Sequence, residues 1–322
     1  MKSFFFLLLV FFQGSLFAQS TVVYPAPVKY LQLTIEQQPV RMAYMDISPL
    51  QPNGNTVLLL HGKNFNGYYW KDVISFLVDA GYRVIAPDQV GFGFSDKPAT
   101  SYSFQILAYN TKKLIDTLGI KSINIIAHSM GGMLASRFIL MYPAIVNSVI
   151  YENPIGLEDY KTFVPYKTFD QEYKEELKAD FNTLKKYQQS YFPVWKPEYD
   201  QYVQAQWEAL NRPDFKQGTW ASAATYEMIF EQPVLYEFDS IRTTALLIIG
   251  QADRTVVGKA LLTKEVAAQH GQYPQLGRWF NSKLVHSTLV ELEGVGHIPH
   301  IQDLPAFRQN VLSFLEGNNA QK

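Results

Sequence analysis

A serine, an aspartate and a histidine each stand directly behind an apolar run in this chain, and those three side chains can together break an acyl bond. Ser129 lies in Ile125-Ile126-Ala127-His128-Ser129-Met130-Gly131-Gly132. Its hydroxyl is the one group at that junction able to attack a carbonyl. Before it, the β-branched run Ile123, Ile125 and Ile126 reads as a buried strand; after it, the apolar spacing of Met130 to Met141 predicts a helix. A serine in so sharp a strand-to-helix turn needs small residues two positions away on either side. Ala127 and Gly131 supply them, which is the shape of a nucleophile elbow. The turn also leaves N–H groups at the helix start without helical partners, where a developing oxyanion can bind. An ordinary strand, serine cap and helix share this local pattern, because serine is a good N-cap. The other residues must decide.

A serine nucleophile needs a base, and the base needs an orienting acid. Asp253 follows the run Ala245 to Ile249 in Gly250-Gln251-Ala252-Asp253, and His297 follows Leu289 to Leu292 in Gly294-Val295-Gly296-His297. Both therefore project from the carboxyl edge of a parallel sheet, where such sheets place their sites. Asp253 could instead cap the next helix, and Glu152, at the end of another buried run, is a second candidate acid. His300 lies close to His297, but the Gly-x-Gly turn favours His297 as the base. A metal held by His297 and His300 lacks a third nearby ligand, so no metal is expected. His128 reads as packing, and His270 and His286 as surface or loop residues. His61-Gly62-Lys63-Asn64 follows the run Val57 to Leu60. An N–H of that turn, from Lys63 or Asn64, together with the Met130 N–H would make a two-donor oxyanion hole, with His61 structural. The loop Asp88-Gln89-Val90-Gly91-Phe92-Gly93-Phe94-Ser95 lacks the full phosphate-binding spacing and reads as a tight loop at the site's edge.

The elements that must position these groups follow from hydrophobic period. Tyr30 to Ile35 and Val40 to Tyr44 alternate as an edge hairpin. From Thr56 continuous apolar runs alternate with helical patterns, including a helix with Tyr69, Val73, Phe76 and Leu77 on one face and another from Phe104 to Leu118. That alternation implies right-handed crossovers and a mostly parallel sheet. Between Leu157 and Ser240 it stops. There, Phe169, Tyr173, Leu177, Phe181 and Leu184 share one helical spacing, Tyr199 to Leu210 a second, and Thr219 to Glu231 a third, starting after Gly218. The alternation resumes at Thr244, with a helix near Lys259 to His270 and a last one from Leu304 to Leu315. The expected division is an α/β core over residues 19–156 and 241–322 with a helical cap at 157–240.

The 322 residues are 47% hydrophobic with a net charge of -1, which argues for one large core and against nucleic acid as a partner. Met1-Lys2-Ser3, the apolar block Phe4 to Phe12 and small residues up to Ala18 predict a signal peptide over residues 1–18. The block is shorter than the ~20 residues a spanning helix needs, so no membrane span is expected after its removal, and the protein should be secreted or periplasmic. The chain has 0 cysteines, which excludes disulfides and thiolate metal sites.

His61-Gly62, the Asp88 to Ser95 loop, the elbow at Ser129, Asp253 and His297 occur in order, each behind its own strand. In this the chain resembles the α/β-hydrolase family, from roughly Tyr30 to Leu315. The resemblance implies an eight-stranded, mostly parallel sheet, a cap after the sixth strand, and cofactor-free hydrolysis through an acyl-enzyme. Within the family it is most similar to capped esterases and carbon–carbon bond hydrolases. Ala127 replaces the usual glycine before the serine. Serine also stands where dehalogenases and epoxide hydrolases carry aspartate, which points away from those chemistries. Gln272 to Lys283 reads as an insertion relative to the family. The expected activity is hydrolysis of a carboxylic ester or related acyl bond by Ser129, His297 and Asp253, with oxyanion donors at Lys63 and Met130. Carbon–carbon cleavage or perhydrolysis on the same residues, or a binding protein without turnover, are the alternatives. Asn64, Phe65, Phe92 and Phe94, with the cap aromatics Tyr166, Trp195, Trp207, Trp220 and Tyr226, suggest an apolar pocket for a small acyl substrate.

Overall fold

The computed structural model describes residues 22–210 and 213–319, so the expected signal peptide lies outside the described residues. Eight strands form one sheet: β1 (Lys29–Ile35), β2 (Gln38–Ile47), β3 (Thr56–Leu60), β4 (Arg83–Pro87), β5 (Ile123–His128), β6 (Val146–Glu152), β7 (Thr244–Gly250) and β8 (Ser287–Leu292). Their order is β1-β2-β4-β3-β5-β6-β7-β8. The β1–β2 and β2–β4 pairs are antiparallel and all others parallel. The exposure of β1 alternates along its length, as an edge strand requires, whereas every residue of β5 is buried.

Outside the cap, the described residues form seven helices: α1 (Lys71–Asp79), α2 (Phe104–Thr117), α3 (Met130–Met141), and after the cap α8 (Lys264–Gln269), α9 (Tyr273–Lys283), α10 (Pro299–Gln302) and α11 (Leu304–Asn319). Between β6 and β7 lie α4 (Phe169–Glu176), α5 (Phe181–Gln189), α6 (Asp200–Leu210) and α7 (Phe215–Glu231). The alternation of side chains along the strands splits the core in two. Leu58, Ile125, Val149 and Leu247 join α2, α3 and α9 on one face. Leu59, Ile126, Ile150 and Ile248 join α1 and α11 on the other.

Strand order fixes where chemistry can occur. The chain lays β4 on one side of β3 and β5 on the other, so the crossover direction reverses at β3. Crevices at such reversals, outside the carboxyl ends of the strands, are where open α/β sheets bind ligands. Leu60 pairs with Ala127, and His128 with Glu152, so the turn after β3 and the elbow after β5 are neighbours.

Several helix boundaries depart from the sequence expectation. Phe169 to Leu184 is two helices, because Thr168 with Gln171 and Asp180 with Thr183 each build a reciprocal capping box that starts a new one. The third cap helix begins at Phe215 and runs through Gly218, where the stem of Lys97 packs close to the bare Cα. Tyr69 belongs to a 3-10 turn ahead of α1. The helix expected near Lys259 to His270 is a 3-10 turn at Lys259–Leu261 followed by α8, capped by Thr263. Gln272 to Lys283, expected as an insertion, supplies α9, the crossover from β7 to β8. Tyr273, Gly277 and Phe280 bury its inner face. A parallel strand pair needs such a crossover.

Candidate active site

The elbow is strained where its chemistry would require it. Ser129 has φ 55° and ψ −121°, a conformation costly for a residue with a Cβ. It follows the last residue of β5 and precedes the first of α3. A Cβ at position 131 would overlap the carbonyl oxygen of Leu60, so only glycine lets α3 begin this close to β3. The Ser129 carbonyl accepts from Gly132 N–H (2.9 Å) and Ile155 N–H (3.2 Å), and its own N–H donates to the Glu152 carbonyl (3.2 Å). Those bonds hold the strained residue from three sides.

The three expected side chains meet. His297 Nε2 lies 3.0 Å from Ser129 Oγ, and His297 Nδ1 lies 2.7 Å from Asp253 Oδ2. The carboxylate can only accept, so Nδ1 carries the proton and Nε2 is left to accept the serine O–H. Asp253 Oδ2 also accepts from the Asn153 side-chain amide (2.7 Å), and Oδ1 from the Thr255 N–H (2.8 Å). Burial alone would push the Asp253 carboxyl up, but the electrostatic pull of the neighbouring His297 and the three hydrogen bonds outweigh it and hold the group below the usual carboxylate range. Asn153 is locked in turn. Its φ is 37°, and its amide oxygen accepts the Gly250 N–H at 2.9 Å. Its role was not legible from sequence, although its place one residue past a buried strand end is the signal that could have found it.

Glu152, the rival acid, turns to the other side of the sheet edge, where its carboxylate accepts the His300 backbone N–H (2.7 Å) and faces His300 Nδ1 (2.8 Å). That pair is buried and separate from Ser129. His61 is structural as expected: its Nε2 accepts the Gln89 N–H (2.9 Å), so its protonated Nδ1 donates to the Gly62 carbonyl (2.8 Å). The Phe65 N–H donates to the same carbonyl (3.1 Å). In a trans peptide the N–H points opposite the carbonyl, so the Lys63 N–H faces away from His61 and Phe65. Lys63 lines the cavity beside Ser129, and Met130 opens α3 directly after that serine.

That cavity has a volume of about 290 Å³ and lies between Ser129 and the cap. Ile155, Leu184, Ile229, Val256 and Val257 form an apolar part of its wall. Ala260 and Leu261 extend that part, in keeping with the expected apolar pocket, and charged side chains that the sequence reading did not name also reach it. Lys63 Nζ pairs with Glu176 (3.2 Å) and Ser222 (2.7 Å), and Lys167 with Glu172 (2.7 Å), all within the lining or against it. Asn64 also lines it, with its amide on the Tyr191 hydroxyl at 2.9 Å. Phe65 and Phe92 line a smaller neighbouring pocket, and Phe94 lines neither. The Phe94 ring packs edge-on against Tyr24, 4.7 Å between centroids, on the far side of the Asp88 loop. Of the cap aromatics named from sequence, only Tyr226 faces the Ser129 cavity; Tyr187 and Tyr191 were missed. Trp195 packs edge-on within the cap against Phe192 and Tyr199, so the helical spacing of these rings reports packing more than contact with a ligand.

The cap also touches the base. The Tyr191 carbonyl accepts the His297 N–H at 2.7 Å, and its ring lies 4.8 Å from the imidazole. A Cβ at position 296 would overlap that carbonyl, which explains the Gly-x-Gly turn before the histidine.

The arrangement can deprotonate a hydroxyl, stabilise the resulting imidazolium and offer N–H groups to an oxyanion. Comparison with known proteins agrees at the level of family. The α/β hydrolase fold family matches residues 55–304. A probable hydrolytic enzyme from Pseudomonas aeruginosa PAO1, a solved structure, is similar at 44% identity and a TM-score of 0.89, covering 91% of this chain and 95% of its own. An esterase from Exiguobacterium antarcticum shares the fold at 20% identity and TM-score 0.68, over 86% of this chain and 96% of that one. A haloalkane dehalogenase of Mycolicibacterium paratuberculosis is 32% identical over 133 residues, 40% of this chain and 44% of that protein. The chain thus spans less than half the length of the curated relatives it matches. With the elbow, the sheet order and the family match together, the chain belongs to the α/β-hydrolase fold family, a family of hydrolases.

Proposed function

We propose that the protein is a serine hydrolase that cleaves a carboxylic ester or related acyl bond. One observation carries this reading: Ser129 Oγ, His297 and Asp253 form a continuous hydrogen-bonded chain with only one arrangement of protons, opening into a cavity. Ser129 Oγ attacks the carbonyl carbon while His297 Nε2 takes its proton. The tetrahedral oxyanion rests on the N–H groups of Lys63 and Met130. Collapse breaks the bond to the leaving oxygen, which takes the proton from Nε2 and departs as the alcohol. Water then repeats the sequence on the acyl-enzyme and releases the carboxylic acid. Asp253 stays ionised throughout, orienting the ring. The cap closes the cavity, and its mixed lining suits a substrate with a short apolar arm and a polar end. Export after cleavage near Ala18 completes the reading, and N-terminal sequencing of the mature protein tests it.

The similarity to a haloalkane dehalogenase does not carry its chemistry here. Displacing halide with a serine oxygen would leave an ether, which water cannot cleave as it cleaves an ester. A second reading is favoured by the 37% identity over 86 residues, 27% of this chain and 31% of the relative, to a non-heme chloroperoxidase of Kitasatospora aureofaciens. On that reading hydrogen peroxide takes the acyl group in place of water. Peracid formation from an activated ester in the presence of peroxide distinguishes the two. The decisive experiment is Ser129→Ala, expected to lose on the order of 10⁶ in kcat on a p-nitrophenyl ester, with loss of fluorophosphonate labelling. Labelling that survives in the variant ends the proposal.

A further inference from the structure

We infer that Tyr69 and His128 form a hydrogen-bond relay of single polarity that ties the turn carrying Lys63 to the backbone of His297, and that both act as positioning residues. The inference rests on the roles proposed above for Ser129 and His297. The direction of each bond follows from what its partner can do. The His297 carbonyl only accepts, and it lies 2.9 Å from His128 Nε2, so that nitrogen carries the proton. In the neutral ring His128 Nδ1 must then accept, and the group facing it at 3.2 Å is the Tyr69 hydroxyl. Having donated its proton, the Tyr69 oxygen accepts the Gly62 N–H at 3.0 Å. One arrangement of protons satisfies all three bonds.

The relay spans two loops that are otherwise far apart in the chain. At one end, the peptide after Gly62 is already held through its carbonyl by His61 and Phe65, and the Tyr69 bond holds the peptide before it, so the backbone is fixed on both sides of Gly62. At the other end, the His297 backbone is gripped through its N–H by Tyr191 and through its carbonyl by His128. The distance between these loops decides whether an oxyanion and an imidazole can meet the same carbonyl. Both rings are buried, and neither lines the cavity over Ser129. Burial first, and then the neighbouring His297 and His300, hold the His128 imidazole well below the ordinary histidine range, which keeps it in the neutral form the relay requires. Packing alone would need the rings; it would not need the hydroxyl.

Two measurements on the full chain test this. In ¹⁵N–¹H correlation spectra of histidine-labelled protein at neutral pH, with His128 assigned by its loss in His128→Gln, the ring is expected as the neutral Nε2–H tautomer. An Nδ1–H tautomer or an imidazolium overturns the relay. Tyr69→Phe removes only the hydroxyl, and is expected to lower kcat about tenfold or more on a p-nitrophenyl ester, per site titrated with fluorophosphonate, with KM nearly unchanged. A lowered Tm with unchanged kcat per titrated site means a purely structural role and sinks the proposal. If Tyr69→Phe does not fold, the wild-type tautomer decides alone. Turnover by Ser129→Ala would defeat the ester-hydrolase reading, and the tautomer would still judge the relay independently.

Discussion

Below and above Ser129 the molecule is built in opposite ways. Below it, His61, Tyr69, His128, His300 and Trp70 form a buried layer of rings whose bonds run mostly to backbone. Above it, the cavity wall carries lysine–glutamate pairs contributed by the turn after β3 and by the cap, each retaining some exposure to solvent. Within the lower layer His61 and His128 are held neutral by burial, and the layer dictates position. The upper wall is charged and meets whatever enters. A parallel sheet supplies a rigid floor because its strands are covered on both faces, and variable helices supply the ceiling. Geometry and selectivity can therefore be altered separately.

Breaking the floor should cost the most. Asp253→Asn keeps the shape but removes the charge and allows the wrong tautomer at His297. A kcat loss on the order of 10⁴ is expected in steady-state assays. Asn153→Ala removes one hydrogen bond to that carboxylate and one to Gly250. A charge-assisted bond is worth roughly 1.5–3 kcal/mol, so kcat/KM should fall about 10-fold to 100-fold. An undiminished rate would show that Thr255 and His297 suffice to hold the acid.

The neutrality of His61 and His128 predicts a pH signature. His61 and His128 are both held below the ordinary histidine range, chiefly by burial. Their contribution to stability is fully present above the unfolded value of about 6.5 and is lost as pH falls toward the depressed folded values, because the unfolded chain takes up protons the folded one refuses. Urea unfolding followed between neutrality and mild acid should show stability falling, and His128→Gln should flatten that slope by up to one proton. An equal slope in the variant would mean that His128 is not the neutral ring described. The smallest effect is expected in the ceiling. Glu176→Gln leaves Lys63 bonded to Ser222 and should alter KM a few-fold among esters of different polarity, with little change in stability because the pair is part-exposed. A uniform fall in kcat instead would mean that the ceiling also sets geometry.

The same division explains what could be read from sequence. Ser129, Asp253 and His297 were legible because each stands directly past an apolar run, and the sheet turns that linear fact into a shared edge. The β1–β2 hairpin and the six strands that follow it were legible by period. Asn153, Tyr69 and Tyr191 were not, since their partners lie 100, 59 and 106 positions away and, apart from the place of Asn153 past a strand end, nothing local marks them. The break between α4 and α5 was carried by Asp180 and Thr183, whose reciprocal caps interrupt a hydrophobic spacing that continues across them. Phe94 was misassigned because a loop at the site's edge has two sides, and sequence does not say which one a ring takes.

The carbonyl of Tyr191 bears on how traffic reaches the catalytic centre. A ceiling seated on the His297 peptide cannot be hinged away wholesale without disturbing the imidazole that, on the proposed chemistry, takes the Ser129 proton. A mutation that springs this seam should therefore admit more molecules and convert fewer.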